Sequence, residues 1–398
     1  MFAAFKHRNY RIFWSGSFIS LIGSWMQTMA LGWLIYRLTK SPFLLGLSSF
    51  FSSIPIVFIS PIGGAVVDRI DKRKMLIITQ ACMMFSAFIL AALTGFKLIA
   101  IWHIFAIAIL GGFVAAFDAP ARQSLIIELV GKEDLMNGIA LNSLAFNSAR
   151  ILGPAVAGFA VAYVGESGCF LLNGFSFIAV IIALMLMTGL EPVNEMKESN
   201  LIENLKEGFN YLRQQKVIRN LILLVGISSL FSLSYATLLP IFAKEILGGD
   251  ARTLGWLMSS VGIGAIIGAL LIAKLGNYPR KGRLLLIAGF SSAFFLVLFG
   301  TSRWLWMSMG TLAIVGFSNV LYLATTNTMI QTIVADELRG RVISIYTLIF
   351  LGGMPLGNLI VGAVAQYFGA PVTVILGSVI CLVYTAYTAY RVSELRNT

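Results

Sequence analysis

Runs of about twenty apolar residues, separated by short clusters of charge, recur from one end of the chain to the other. Twelve such runs are counted, centred near Gly23, Ile54, Phe85, Ala108, Ile151, Ile178, Phe231, Ile263, Phe290, Val315, Leu351 and Val379. A hydrocarbon core about 30 Å thick takes about 20 residues of α-helix to cross, so each run predicts a membrane-spanning helix. Backbone groups in lipid must be satisfied internally, which makes helices the expected form. The alternation of a membrane β-barrel is missing. The pattern breaks in the polar stretch 191–219, where NLIENLKEGFNYL sets Leu201, Leu205, Phe209 and Leu212 on one helical stripe with charges opposite. That pattern predicts an amphipathic helix lying at the membrane surface. It joins six spans to six. The expected domains are an N-terminal six-helix bundle over 1–190, a linker over 191–218 and a C-terminal bundle over 219–398.

Composition agrees with the pattern. Only 12% of residues are charged, against roughly 25% in a soluble domain, which excludes a soluble protein. The formal net charge of +12 would suggest nucleic acid in a soluble chain, but here its distribution decides. With the N-terminus placed in the cytoplasm, 22 of the 29 Lys and Arg fall on that side. Arg37, Lys40, Lys97, Lys244, Arg252 and Arg303 fall on the other, and Arg150 lies within a span. The positive-inside rule therefore predicts both termini in the cytoplasm. The expected partners are membrane lipids and a small molecule, with no nucleic acid. Cys82, Cys169 and Cys381 sit in apolar spans, so no disulfide framework is implied. No cleavable signal peptide is expected, since the first apolar segment is long and lacks a small-residue cleavage site.

The two halves are related. Shifting one by 204 residues aligns 123–165 with 327–369 without a gap, bringing Gly153 onto Gly357, Gly158 onto Gly362, Gly165 onto Gly369 and Glu133 onto Glu337. A shift of 208 brings Arg11 onto Arg219, and Ser20 and Ser24 onto Ser228 and Ser232. A duplicated six-plus-six order with a cytoplasmic linker is the layout of one large class of secondary transporters.

After span 2 the chain reads GGAVVDRIDKRKM. Gly64, Asp68, Arg69, Lys72 and Arg73 resemble the G-x-x-x-D-R-x-G-R-[KR] loop of the major facilitator superfamily, with Asp71 standing where the pattern has its second glycine. Span 5 carries ARILGPAVAG, similar to that superfamily's antiporter motif, with Gly153, Pro154 and Gly158 in place. FKHRNYRIFWSG, DAPARQSLIIELV and NSARILGPAVAG together resemble its exporter branch, the group that includes enterobactin exporters and predicted secretion effectors. The resemblance covers nearly the whole chain and names no substrate. It implies an all-α fold of twelve helices in two pseudo-symmetric bundles, in the cytoplasmic membrane. It also implies a cytoplasmic gate at the loop after span 2. There Asp68 would accept hydrogen bonds at the start of span 11, where the helix dipole favours an anion, and Arg73 would pair with Asp118, with Arg122 one turn further on. Asp118 has a rival role as a proton-binding carboxylate.

Arg150 lies about 16 Å into span 5 at about 1.5 Å per residue, where a charge is costly unless it faces protein or water. Gly153 and Pro154 share its face. Glycine permits close helix approach, and proline kinks the span and frees the carbonyl near Arg150. Gly264 and Gly268 on span 8 offer a small-residue stripe to receive it. Arg150 is then either a counter-ion for anionic cargo or a structural donor to freed carbonyls or to Asn142 and Asn147.

Spans 1, 4, 7 and 10 line the central cavity in the fold that the resemblance implies. Helical spacing puts Ser20, Ser24 and Gln27 on one stripe of span 1. Ser228, Ser232 and Tyr235 form another on span 7, and Asn319, Tyr322 and Thr326 a third on span 10. A single hydroxyl here more often bonds its own backbone; the recurrence of stripes is the signal. They predict an uncharged, moderately polar cavity suited to an amphiphilic molecule. His103 opens span 4 at the outer interface, where packing is the ordinary role.

A membrane enzyme would need a nucleophile, metal or acid–base cluster, yet H-E-x-x-H and G-x-S-x-G are both missing, and GKED at Gly131 lacks the rest of a phosphate loop. The expectation is a monomeric secondary exporter of a siderophore or drug-like compound, without cofactor or metal, driven by the proton gradient through Asp118 or Glu245. A lysophospholipid flippase, an importer of the same fold and, from a different class, a membrane-embedded enzyme are the alternatives.

Overall fold

The computed structural model describes residues 3–67, 69–188, 201–275 and 278–392. Helix dominates, and among the described residues ten runs are long and apolar enough to cross a membrane. The first three are α1 (Arg8–Thr39), α2 (Pro42–Val67) and α3 (Lys72–Gly95). An 85-residue helical run, Ile101–Met185, follows. Gly131 (φ 67°, ψ 177°) and Gly165 (φ 70°, ψ 179°) break it, because that backbone region is open to glycine and closed to residues with a Cβ. The breaks leave three segments: α4 (101–130), α5 (132–164) and α6 (166–185).

The linker stripe forms a helix as expected, Leu201–Gln214. Phe209 on it is exposed and Leu212 buried, while the side chains of Leu201 and Leu205 lie outside the described residues. The later helices are α7 (Lys216–Ile246), α8 (Ala251–Leu275), α9 (Lys281–Thr301), α10 (Leu305–Ile333), α11 (Asp336–Phe368) and α12 (Ala370–Arg391). α7 is irregular: α-helical to Ile227, π-helical over Ser228–Ser232, 3-10 over Leu233–Leu238 and π-helical again over Phe242–Ile246.

Caps explain several boundaries. Asp71 caps α3 by accepting from Lys74 N at 3.2 Å, and its φ of −56° requires no glycine. The loop motif's missing second glycine is thereby accounted for. Ser41 Oγ accepts from Leu44 N at the start of α2, and Asp250 accepts from Arg252 N and Thr253 N at the start of α8. His103 Nδ1 accepts from Ala100 N at 3.1 Å, which makes it a cap of α4.

The chain forms two compact units. One holds residues 1–40, 51–197 and 249–259; the other holds 41–50, 198–248 and 260–398. The core of the first gathers Tyr10, Phe13, Leu76, Leu125, Leu141 and Leu184. That of the second gathers Leu221, Leu285, Tyr322, Ile330, Ile345 and Tyr346.

Candidate transport site

Charge is buried inside the first unit. Asp118 on α4 is 8% exposed. Its Oδ1 accepts from Thr79 Oγ1 at 2.8 Å and from Gln80 Nε2 at 2.7 Å, both on α3. Its Oδ2 accepts from Arg122 Nε and Nη2 at 3.4 and 3.3 Å, one turn along α4. Arg122 Nη1 donates to Ser17 Oγ on α1 at 3.0 Å, and the guanidinium lies 5.6 Å from the Phe13 ring centroid. Burying a carboxylate is tolerable only with an opposite charge and donors; α3 and α4 supply them, and Ser17 of α1 holds the arginine in turn. Ser20 joins at the margin, its Oγ 3.5 Å from Gln80 Oε1.

The polar stripes predicted for a central cavity are engaged within the units. Ser24 Oγ donates to the Ser20 carbonyl, and Gln27 accepts from Asn173 Nδ2 of α6 at 2.7 Å. Ser232 lies 3.5 Å from Ser292 of α9, which donates to Asn319 Oδ1 at 2.7 Å. The structure brings Ser228, Ser232, Asn319 and Tyr322 to one pocket between α7, α9, α10 and α12. Tyr235 is elsewhere, edge-on to Phe299, and Thr326 Oγ1 donates to the Tyr322 carbonyl of its own helix.

The predicted gate residues part company. Lys72 Nζ lies 3.1 Å from Glu128 Oε1, with both side chains under a tenth exposed. Arg73 does not reach Asp118: its Nη2 donates to the Met185 carbonyl at the end of α6, at 2.8 Å. The α3 turn carrying it faces α6, while Thr79 and Gln80, farther along α3, meet α4. Arg69 is exposed and Gly64 has open space around it. Asp68 lies outside the described residues. Arg341, near the start of α11, pairs instead with Glu207 of the linker helix. Glu245 is exposed at the end of α7, so the medium satisfies this carboxylate directly.

Span 5 explains its motif. Arg150 is half-buried, while Asn147 donates to the Ser143 carbonyl of its own helix. A Cβ at Gly153 would meet Trp25 and the Ile22 carbonyl of α1, so this glycine seats α5 on α1. The contact with α8 lies farther along. A Cβ at Gly255 would fall 2.5 Å from the Pro154 carbonyl and 3.3 Å from Gly158 Cα. Ser259 Oγ donates to the Ile151 carbonyl at 2.8 Å, close to the donor lost at Pro154. The expected Gly264–Gly268 stripe points elsewhere: Cβ atoms there would strike the Ala313 and Phe317 carbonyls of α10. Within the second unit the α5–α8 geometry recurs 204 residues on. Gly46 of α2 meets the Asn358 carbonyl and Gly362 of α11.

Comparison with known proteins decides the family: the profile of the transmembrane secretion effectors, within the major facilitator superfamily, matches residues 1–398. The chain belongs to that family. The staphyloferrin A transporter of Staphylococcus aureus is 28% identical over 97% of each chain. The enterobactin exporter EntS of Shigella boydii serotype 4 is 25% identical over 89% of this chain and 85% of its own. Macrolide efflux protein A of Streptococcus pyogenes is 23% identical over 92% of each. Among solved structures the nucleoside transporter NupG superposes with a TM-score of 0.76 at 13% identity, over 96% of this chain and 98% of that one. That match concerns the fold alone.

As a transmembrane secretion effector the chain is a multi-pass membrane transporter of the exporter branch, not an enzyme. Sequence reasoning missed two features of this member. Glu128 was visible as a carboxylate inside LIIELV, a signal of buried pairing. Thr79 and Gln80 gave no comparable signal, because polar uncharged residues are common on helices and their partner is 38 or 39 positions away.

Proposed function

We propose that this transporter is a proton-driven secondary exporter. It expels a small amphiphilic molecule, siderophore-like or drug-like, by alternating access of a monomer with twelve spans and cytoplasmic termini. The buried Asp118 cluster carries the reading. It is a carboxylate within the membrane bundle, cross-linked to α1 through Arg122 and to α3 through Thr79 and Gln80. A proton arriving on Oδ2 displaces the Arg122 contacts and turns an acceptor into a donor. Arg122 is then left with Ser17 and Phe13, and the junction of α1, α3 and α4 relaxes. Proton entry thus becomes a change in helix packing. The names of the siderophore and macrolide relatives support cargo of that class, and EntS and the efflux protein support the outward direction.

Inverted membrane vesicles test the proposal. Vesicles acidified inside should accumulate enterobactin or erythromycin, and collapse of the pH gradient with nigericin should abolish uptake. Asp118→Asn should cut gradient-driven uptake at least about tenfold, the scale on which one essential ionic contact acts, with membrane abundance preserved. Uptake by Asp118→Asn at the wild-type rate would remove Asp118 from the mechanism.

A further inference from the structure

The pocket of the second unit has a construction of its own. Its lining includes Ser228 and Ser232 of α7, Ser292 of α9, Asn319 and Tyr322 of α10, and Cys381 of α12. Three observations give it a purpose. First, α7 leaves α-helical geometry at this point, with a π-turn over Ser228–Ser232 whose Ser228 carbonyl accepts from Leu233 N. Such bulges tend to occur at functional sites. Second, Gly289 holds the wall open: a Cβ there would come within 3.2–3.3 Å of Thr385 and Tyr322, so a larger side chain would close the space. Third, the polar groups are incompletely matched. Ser292 donates to Asn319 Oδ1, and the Asn319 amide nitrogen makes no hydrogen bond among the described residues. Ser228 Oγ and the Tyr322 hydroxyl make no hydrogen bond among the described residues.

The duplicated half shows the contrast. Ser20 and Ser24 occupy the repeat-related positions on α1, but there Gln80 fills the neighbouring space and links to Asp118 and Arg122. One copy is filled and charged; the other is open and neutral. The residues lining the pocket include no Lys, Arg, His, Asp or Glu, so a full charge entering it would lose its hydration without compensation. The free space holds a group of about water size, and a polar cavity of that size binds water when nothing else is present.

We propose that this pocket is a subsite for one hydroxyl of the cargo, which displaces a resident water. The Asn319 amide and Tyr322 donate to it, and the hydroxyl of Ser228 or Ser232 accepts its one proton. The inference rests on the reading of the chain as a small-molecule carrier. A site built to bond a hydroxyl discriminates strongly against an analogue lacking it, because its own groups are then unpaired.

Four dansyl amphiphiles that differ at one end supply the test: dansyl-ethanolamine (hydroxyl), dansyl-glycinamide (amide), dansyl-ethylamine (methyl) and dansyl-glycine (carboxylate). Binding to the full-length protein in nanodiscs is read by fluorescence titration, with empty nanodiscs subtracted. The hydroxyl probe should bind at least about tenfold tighter than the methyl probe, the amide, too large for the space, should gain no such preference, and the carboxylate should bind weakest. Asn319→Leu and the milder Ser292→Ala should reduce that preference to under about twofold, and Gly289→Val should remove it by closing the space to every probe. Size-exclusion profiles report folding of each variant. Equal binding of all four probes, no saturable binding of any, or a preference that survives Asn319→Leu and Ser292→Ala would overturn the proposal. Uptake of the same probes by inverted vesicles separates the two readings. A preference without gradient-driven uptake removes the exporter and keeps the subsite; uptake without a preference does the reverse.

Discussion

At the scale of single residues, the membrane forces each ionisable group to declare a partner. Lys72 and Glu128 do so most completely, since both side chains are under a tenth exposed and 3.1 Å apart. Removing one member of such a pair strands the other charge, which costs about 3–5 kcal/mol, whereas replacing both with apolar groups costs far less. Glu128→Gln should therefore lower the thermal midpoint in detergent well below wild type, and Lys72→Met with Glu128→Leu should recover most of the loss. A double variant no better than the single would show that the pair is not the source of the effect. The same logic sets what the sequence could reveal. Asp118 and Arg122 were legible as neighbours because one helical turn separates them. Arg73 was misassigned to Asp118 because charge complementarity ignores direction: its side chain leaves α3 toward α6, where a helix-end carbonyl accepts it. The polar stripes on spans 1, 7 and 10 were legible as stripes. Periodicity fixes which residues share a face but not which neighbour that face meets, and Gln80, Asn173 and Ser292 took them.

At the scale of elements, glycine decides where helices stop and how closely they pass. Gly165 and Gly369 are repeat-related and hold matching backbone angles, φ 70° and 79° with ψ 179° and 157°. An alanine at 165 has room, since nothing lies within 4 Å of its Cβ; its cost is conformational. Gly165→Ala should therefore destabilise by about 1–3 kcal/mol. Gly111→Ala, on a regular stretch of α4 with equally open space, should instead stabilise by about 0.5–1 kcal/mol. Thermal midpoints of the two variants check the sign directly; a loss at both would mean that packing, not backbone angle, is responsible. The Gly264–Gly268 stripe illustrates the limit of sequence reading at this scale. Small residues at four-residue spacing announce a close helix contact, yet α10 rather than α5 supplies it.

At the scale of the whole molecule, the duplication explains why two separate helix pairs are built alike. Gly158 and Gly255 bring α5 to α8 inside the first unit, and Gly362 and Gly46 bring α11 to α2 inside the second. Polar contacts beside them differ: Arg252 lies 5.7 Å from the Tyr163 ring centroid, whereas Ser41 Oγ donates to Gln366 Oε1 at 2.7 Å. Under the alternating access proposed above, both pairs part in each cycle, so either one, if fixed, should arrest transport. The backbones are near the separation that a disulfide spans, with a Cβ at Gly255 placed 3.3 Å from Gly158 Cα and one at Gly46 placed 3.1 Å from Gly362 Cα. Oxidised Gly158→Cys/Gly255→Cys and Gly46→Cys/Gly362→Cys variants, made with the three native cysteines replaced by serine, should each lose gradient-driven uptake and regain it on reduction. Arrest by one cross-link and full activity with the other would mean that the copies have diverged in motion as well as in polar chemistry, leaving one glycine contact as a fixed pivot.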